Sequence, residues 1–212
     1  MQTEEEQIAQ LKEWWQRNGK PLLAGGVLAV AGVFGWQYWQ NYQASQAAAA
    51  SYTYQQLLEN VLSPEVERDT AEVVELSNKL KSEFAGSPYS QYGALLAAKL
   101  AVEAGKLDDA AAELQAVVDK PADATLGELA RQRLARVLAA QDKAEEGLTL
   151  LDGEAPVSYQ ASREELRGDL LKQLQRPAEA REAYQKARAV LADDAAQGTL
   201  QLKLDDLAEG DA

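Results

Sequence analysis

The stretch GKLDDAAAELQAVV, residues 105–118, spaces small and large apolar residues in the way that is typical of paired helices. A turn glycine opens it, and an apolar, a small, a large and a second apolar residue follow at fixed places: Gly105, Leu107, Ala110, Leu114 and Val117. A small side chain lets two helix backbones approach, and a large one fills the space beside it. The pattern therefore predicts the second helix of a helical hairpin.

Two later stretches repeat the pattern. QDKAEEGLTLL (141–151) and QRPAEAREAYQKA (175–187) place small or large residues in the same register: Ala144, Gly147 and Leu151, then Ala180, Tyr184 and Ala187. With an earlier copy marked by Leu76, the marker positions are 34, 37 and 33 residues apart. The tetratricopeptide repeat has a period of about 34 residues, and its stacked hairpins share one core. The sequence therefore predicts an all-α fold, a tetratricopeptide-like helical-hairpin array (α-solenoid).

Helix signals divide the array further. Ser63-Pro64 and Ser87-Pro88 each predict an N-cap followed by proline in the first helical turn. Two units depart from the pattern, because Pro64 falls inside the expected leading helix of the first and Glu154 replaces the last small residue of the second. The strand-like run TLQLKL, 199–204, is interpreted as helix. Helices are expected near 43–62, 64–85, 88–104, 107–119, 124–140, 143–152, 157–174, 177–192 and 195–208.

Composition limits the chemistry. The 212 residues include 21 Lys+Arg, 34 Asp+Glu, no histidine and no cysteine, for a net charge of −13. A Ser-His-Asp triad, a thiolate nucleophile, a Cys/His zinc site and a disulfide framework are therefore excluded. The negative charge would repel a phosphate backbone, so no nucleic-acid partner is expected. No cofactor is expected either.

A membrane span is predicted before the array. Residues 21–36, PLLAGGVLAVAGVFGW, are all apolar or glycine. Sixteen to nineteen helical residues cover roughly 24–29 Å, which just crosses the hydrocarbon core. Aromatic residues lie on both sides of the run, as in membrane proteins with interfacial belts: Trp14, Trp15, Trp36, Tyr38, Trp39 and Tyr42.

Basic residues predict the orientation. Lys12, Arg17 and Lys20 precede the span, and the next basic residue is Arg68. The positive-inside rule therefore places the N-terminus in the cytoplasm. We expect a single-pass membrane protein with four parts: a cytoplasmic tail 1–20, a transmembrane helix 21–40, a linker helix 41–62 and a tetratricopeptide-like domain 63–212 on the far side of the membrane. The alternative is a cleaved signal peptide, with small residues at Ala47 to Ala50.

Candidate binding surfaces follow from these two parts. In the span, Gly25, Ala29 and Gly32 share one helix face, on which small residues would let another transmembrane helix pack closely. In the array, the leading helices of the hairpins would line a groove that could bind a peptide. By register, the groove would receive Tyr92, Lys99, Gln132, Arg136, Glu165, Asp169 and Lys172. The alternative is that these are ordinary exposed side chains.

Carboxylate clusters are the remaining candidates for catalysis. Glu164, Glu165 and Asp169 share a helix with Arg163, Arg167 and Lys172, and Asp108, Asp109 and Glu113 lie near Lys106. Spacing of this kind is typical of a solvated face with weak ion pairs. No catalytic site, phosphate loop or calcium loop is therefore expected.

The order of several phrases resembles the YfgM family of Gram-negative inner-membrane proteins. These are KPLLAGGVLAVAG (20–32), SPYSQYGALLAAKLAVEAGKLDDAAAELQ (87–115), RGDLLKQLQRPAEAREAYQKA (167–187) and LQLKLDDLA (200–208). The resemblance implies a non-enzymatic ancillary subunit of the SecYEG translocon, single-pass in the bacterial inner membrane and with the domain 63–212 in the periplasm. It also implies binding of the periplasmic chaperone PpiD and of unfolded, emerging secretory proteins. A tetratricopeptide scaffold for another envelope secretion or outer-membrane-biogenesis complex is the alternative, and a carboxylate-dependent hydrolase is the enzymatic one.

Overall fold

A computed structural model describes residues 4–64, 70–191 and 194–209 of the chain. Within these ranges the chain is helical, with one 3₁₀ turn at Val157–Tyr159 and no strand. Two compact units are separated between Ala49 and Ala50. The helices are α1 Glu4–Leu62, α2 Thr70–Glu83, α3 Pro88–Glu103, α4 Leu107–Asp119, α5 Ala124–Ala140, α6 Ala144–Leu150, α7 Gln160–Gln173, α8 Pro177–Val190 and α9 Asp194–Glu209.

The first unit consists of the N-terminal part of α1. All side chains of residues 21–40 are exposed, including the aromatic ones that close the apolar run. The rings of Trp36 and Trp39 lie 5.4 Å apart. By length and composition, α1 is a candidate membrane span, and it is the only such helix in the described ranges. An apolar surface exposed on all sides suits a lipid environment better than water.

The second unit begins with the last turns of α1. Thr53, Leu57 and Val61 recur at spacings of four on one face of this helix and are buried. Leu57 and Val61 pack with Val73 and Leu80 of α2. The segment expected to be a linker helix thus contributes core residues from Ala50 onward.

The interpretation of Ser63-Pro64 as a helix start was wrong. Ser63 lies just beyond the end of α1, where its hydroxyl donates to the carbonyl of Glu59 at 2.9 Å, and Pro64 is not helical. Ser87-Pro88 does start a helix: Ser87 is the N-cap of α3 and its hydroxyl accepts from the Tyr89 N–H. A serine can bond the backbone at either end of a helix, so the Ser-Pro pair alone does not distinguish the two.

Three hairpin turns have the same geometry. Gly105, Asp142 and Gln175 adopt the left-handed conformation, with φ of 71°, 62° and 59°. The following residue in each turn donates its N–H to a carbonyl five residues earlier, at 2.8–2.9 Å: Lys106 to Ala101, Lys143 to Leu138 and Arg176 to Leu171. This is the Schellman type of helix end. The repeat register is therefore confirmed by backbone geometry, including two turns that lack glycine.

Small residues lie where the helices approach most closely. Ala110 and Ala180 are fully buried. A methyl group on Gly147 would lie 2.8 Å from the carbonyl oxygen of Ala135, and one on Gly168 would overlap the ring of Tyr184. Tyr184 is itself 1% exposed and fills the space that Gly168 leaves. The predicted packing of small against large residues is confirmed.

The helix α9 ends the array. Leu200, Leu204 and Leu207 are buried in the same core cluster as Tyr184 and Leu171. The run TLQLKL is helical, as expected. The C-terminal helix therefore covers the apolar side of the last hairpin.

Gln175→Gly should stabilise the protein by about 0.5–1 kcal/mol, because a non-glycine residue at positive φ is strained and the Gln175 side chain is exposed. Gln185→Gly, at an exposed position inside α8, is the matched control and should destabilise by about 1 kcal/mol. Denaturant unfolding of the full chain in detergent, followed by circular dichroism, gives both values. A loss of stability in Gln175→Gly would contradict the turn assignment.

Gly168→Ala should destabilise the protein by about 2 kcal/mol, because the added methyl group would overlap the Tyr184 ring. Gly198→Ala in α9 is the control, since nothing lies within 4 Å of its added methyl group. It should raise stability by up to about 1 kcal/mol. The same unfolding measurement applies, and equal effects of the two changes would contradict the proposed close packing.

Candidate binding groove

The residues predicted to line the groove do not form one surface. Lys99 and Arg136 line one cavity of about 460 Å³ between α3, α4 and α5. Tyr92 belongs to an aromatic cluster, and Gln132 is buried. The other three, on α7, face residues of α9: Glu165, Asp169 and Lys172.

We call the cavity that Lys99 and Arg136 line the α3–α5 groove. Its floor is apolar and consists of Leu95, Ala98, Val102, Leu107, Leu114 and Val137. Its charged lining consists of Lys99, Glu103, Arg133 and Arg136. Open clefts of this size, with an apolar floor and a few polar groups, are typical binding sites.

The cations around the groove differ in their partners. Lys99 Nζ lies 2.8 Å from a carboxylate oxygen of Glu103, one turn along α3. Arg133 and Arg136 are exposed, and neither has an ion-pair or hydrogen-bond partner in the described part of the chain. An exposed i,i+4 pair is worth only a few tenths of a kcal/mol, so Lys99 can exchange its partner easily. The groove therefore presents up to three available cations.

An aromatic cluster lies further along the same side of α3. The rings of Tyr54, Tyr89 and Tyr92 are 5.7–6.1 Å apart in all three pairs. Burial, and then the proximity of Tyr92, raise the pKa of the Tyr54 hydroxyl. Tyr92 is 37% exposed. Because Tyr92, Lys99 and Val102 are three or seven residues apart, they follow one stripe of α3.

Gln132 was predicted to line the groove, but its side chain is buried elsewhere. Its side chain is 3% exposed and donates to Oε1 of Glu128 at 2.9 Å. Glu128 is fully buried and also accepts from Nε of Arg163 at 2.8 Å and from Nη1 of Arg131 at 3.0 Å. Gln132 therefore completes a buried polar cluster and does not face a ligand.

Arg163 was also expected on an exposed face, but it is buried. The helical spacing suggested a solvated ion-pair face, but the Arg163 side chain is 3% exposed and pairs with Glu128, 35 residues earlier. Burial raises the pKa of the Glu128 carboxyl, but hydrogen bonds from Arg163, Gln132 and Arg131 outweigh it and leave that pKa below its ordinary value. The guanidinium of Arg163 binds both carboxylate oxygens of Glu128, and this bidentate pair fixes α7 against α5.

The same arginine holds the loop between α6 and α7. Arg163 Nη1 donates to the carbonyl of Gly153 at 2.9 Å, and Arg167 Nη2 donates to the carbonyl of Leu151 at 2.7 Å. The helix α6 has only seven residues, so this loop replaces the second half of an ordinary trailing helix. Glu154 accordingly lies exposed in the loop, where no small residue is required. Sequence pattern missed the role of Arg163, because it lies 35 residues from Glu128 and 10 residues from Gly153.

The carboxylates on α7 are paired with the C-terminal helix. Lys203 Nζ lies 2.8 Å from Glu165 and 2.6 Å from Asp169, and Lys172 pairs with Asp206. Tyr184 donates its hydroxyl to Asp169 at 2.8 Å, and burial, followed by this bond, raises the Tyr184 pKa. These contacts hold α9 in place.

Other candidate carboxylates are similarly engaged on the surface. Glu164 lies 3.9 Å from Arg167, Glu113 lies 2.6 Å from Lys81, and Asp108 accepts from Gln141 at 2.8 Å. Among the described residues, no group of acidic side chains could hold a metal ion. These contacts are those of surface ion pairs and hydrogen bonds.

The predicted packing face of the span is exposed. Methyl groups on Gly25 or Gly32 would meet nothing within 4 Å, and Ala29 is also exposed. A close approach by another helix is therefore sterically allowed along this face. Contact with a membrane partner stays a prediction.

An array of helical hairpins that follows a candidate membrane span defines a class of protein, the membrane-anchored tetratricopeptide-like proteins. A family model for the tetratricopeptide repeat-like domain matches residues 12–209. The chain belongs to the YfgM family. No solved structure matches it significantly.

Several curated relatives carry the name "Ancillary SecYEG translocon subunit". The Escherichia coli relative is 32% identical over 80% of each chain, and that of Haemophilus influenzae is 31% identical over 79% of each chain. The Neisseria gonorrhoeae relative is 28% identical over 96% of this chain and 97% of its own. The alignment with the Neisseria gonorrhoeae relative therefore covers both the apolar helix and the array.

Glu128→Gln should destabilise the protein by about 3 kcal/mol, because it leaves the Arg163 charge buried without a carboxylate. Since the fold lowers the Glu128 pKa, the carboxylate stabilises above the unfolded pKa, and this contribution is lost as the pH falls through the folded value. The difference between wild type and variant should therefore shrink below about pH 4. Unfolding of the full chain at pH 7 and pH 3 measures it.

Glu182→Gln is the control for this experiment. Glu182 is 65% exposed and pairs with Lys186 one turn away. Its replacement should change stability little at either pH, because exposed pairs contribute little. Equal effects of the two substitutions at pH 7 would contradict the structural role of the buried pair.

Proposed function

We propose that this protein is a non-enzymatic adaptor of the Sec translocon, anchored in the bacterial inner membrane by α1. The observation that carries the proposal is the shared name of relatives that align over most of both chains. The array supports it, because tetratricopeptide-like hairpins commonly present surfaces for binding other chains. The surface ion pairs described above give no reason to propose catalysis.

The proposed orientation has the N-terminus in the cytoplasm and the array in the periplasm. Lys12, Arg17 and Lys20 lie on the cytoplasmic side in this arrangement. Residues 41–212 carry 18 Lys+Arg and 30 Asp+Glu, so nearly all of the net charge belongs to the array. An acidic domain is soluble and is repelled by an anionic bilayer surface. The proposed parts are the tail 1–20, the span 21–40, the helix 41–62 and the domain from residue 63, with the helix packed into the domain from Ala50 onward.

The two surfaces have different proposed partners. The face with Gly25, Ala29 and Gly32 packs against a transmembrane helix of the translocon, since small residues there permit close contact. The array binds a PpiD-type periplasmic chaperone and emerging, unfolded secretory proteins. Apolar surface in the α3–α5 groove and the exposed Tyr92 support this role.

Affinity purification of the full chain in mild detergent should recover SecYEG subunits and a periplasmic chaperone. Photocrosslinking residues at Gly25 and Gly32 should give adducts with translocon subunits, because they occupy the proposed packing face. Val27 and Phe34, on the opposite side of the helix, are the matched positions and should give few such adducts. A crosslinker at Tyr92 tests the array.

Two results would overturn the proposal. One is a purified protein without translocon subunits. The other is a set of adducts from Gly25, Gly32 and Tyr92 that contains only components of another envelope assembly, which would favour the scaffold alternative.

A further inference from the structure

The α3–α5 groove has a charge opposite to that of the protein. The chain carries a net charge of −13, yet three of the four charged residues that line the groove are cations. A local cationic site on an acidic protein attracts acidic segments, while the surrounding negative charge disfavours other contacts with them. Electrostatics alone therefore favours an anionic ligand at this place.

The floor adds a second requirement. Val102, 43% exposed, and the partly buried Leu107 form the accessible apolar part of the lining, and Leu95 and Ala98 behind them are almost fully buried. Apolar ligand groups seated here would lose contact with water, which is favourable in proportion to the area covered. A purely polar anion would leave this floor uncovered. The ligand should therefore have both apolar groups and carboxylates.

The arrangement of the cations suits a chain of this kind. Arg133 and Arg136 are three residues apart and share one side of α5, and Lys99 lies across the cavity on α3. The two guanidiniums have no partner in the described residues, so binding a carboxylate breaks no existing ion pair at either. A guanidinium can bind a carboxylate through two hydrogen bonds.

From these observations we infer that the α3–α5 groove binds an acidic amphipathic segment of a partner protein. Apolar side chains of the segment lie on Val102 and Leu107, and its flanking carboxylates bind Arg133 and Arg136. Lys99 exchanges Glu103 for a ligand carboxylate. The inference deepens the proposed function and rests on it in one respect, that the array binds other polypeptides.

Three labelled peptides of equal length test the ligand class with the full chain in neutral-lipid nanodiscs. The first alternates leucine with glutamate, the second replaces glutamate with lysine, and the third replaces leucine with serine. Fluorescence anisotropy should show the Leu/Glu peptide binding at least about tenfold more tightly than either other peptide. Tighter or equal binding of the lysine peptide would overturn the inference, as would equal binding of the serine peptide.

Substitutions in the α3–α5 groove test whether the peptide binds there. Arg133→Gln with Arg136→Gln should weaken binding of the Leu/Glu peptide about tenfold and reduce its dependence on salt. Lys79→Gln with Lys143→Gln is the matched control, because both lysines are exposed, lie outside the groove and give the same change of charge. It should change affinity less than about twofold. Equal weakening by both pairs would overturn the assignment to this groove.

Apolar contacts are tested separately. Val102→Ser should weaken binding of the Leu/Glu peptide, whereas Val190→Ser, at an exposed valine on α8, should not. Unchanged thermal unfolding of each variant shows that the fold is intact. If translocon subunits still co-purify but the acidic peptide does not bind, this inference alone fails; if they do not co-purify, the proposed function fails whatever the peptide result.

Discussion

Close approach between paired helices is the constraint on which the array depends. Where α6 crosses α5, the backbone of Gly147 comes so near the carbonyl of Ala135 that no side chain fits between them. Ala110 and Ala180 occupy the matching places in the other hairpins. Each hairpin can then bury its larger side chains against the next, and the three similar turns start the trailing helices α4, α6 and α8 at the same point of the repeat.

Most of the fold follows from local pattern. Small residues at a period near 34, with turn signals before them, predicted the hairpins and most helix ends within a few residues. The turn geometry of the repeat is kept even at Gln175, which adopts a positive φ that its side chain disfavours. Tertiary packing of α7 against α8 imposes that conformation. The Ser63-Pro64 error has the opposite origin, since a local signal fits two structures and packing decides between them.

The candidate site was less predictable. Lys99 and Arg136 were placed on the leading helices by register, and both line the groove. Arg163 could not be placed correctly, because helical spacing reports only neighbours three or four residues away, and its partner Glu128 lies 35 residues earlier on the preceding leading helix. Gln132 is four residues from Glu128, so the spacing shows that the two side chains can meet but not that they are buried. A buried ion pair of this kind stabilises little on balance, but it penalises any alternative register that would separate the charges.

The C-terminal helix has a consequence for assembly. A solenoid is built from like units, so its last hairpin has an apolar face on which a further unit could stack. In α9 one side is leucine-rich and buried, and the other exposes Gln201, Asp205 and Asp206 beside a single leucine, Leu202. A further hairpin, from this chain or from a second copy, would have to desolvate those polar groups to continue the stack. The polar outer side of α9 thus makes end-to-end stacking on this helix costly.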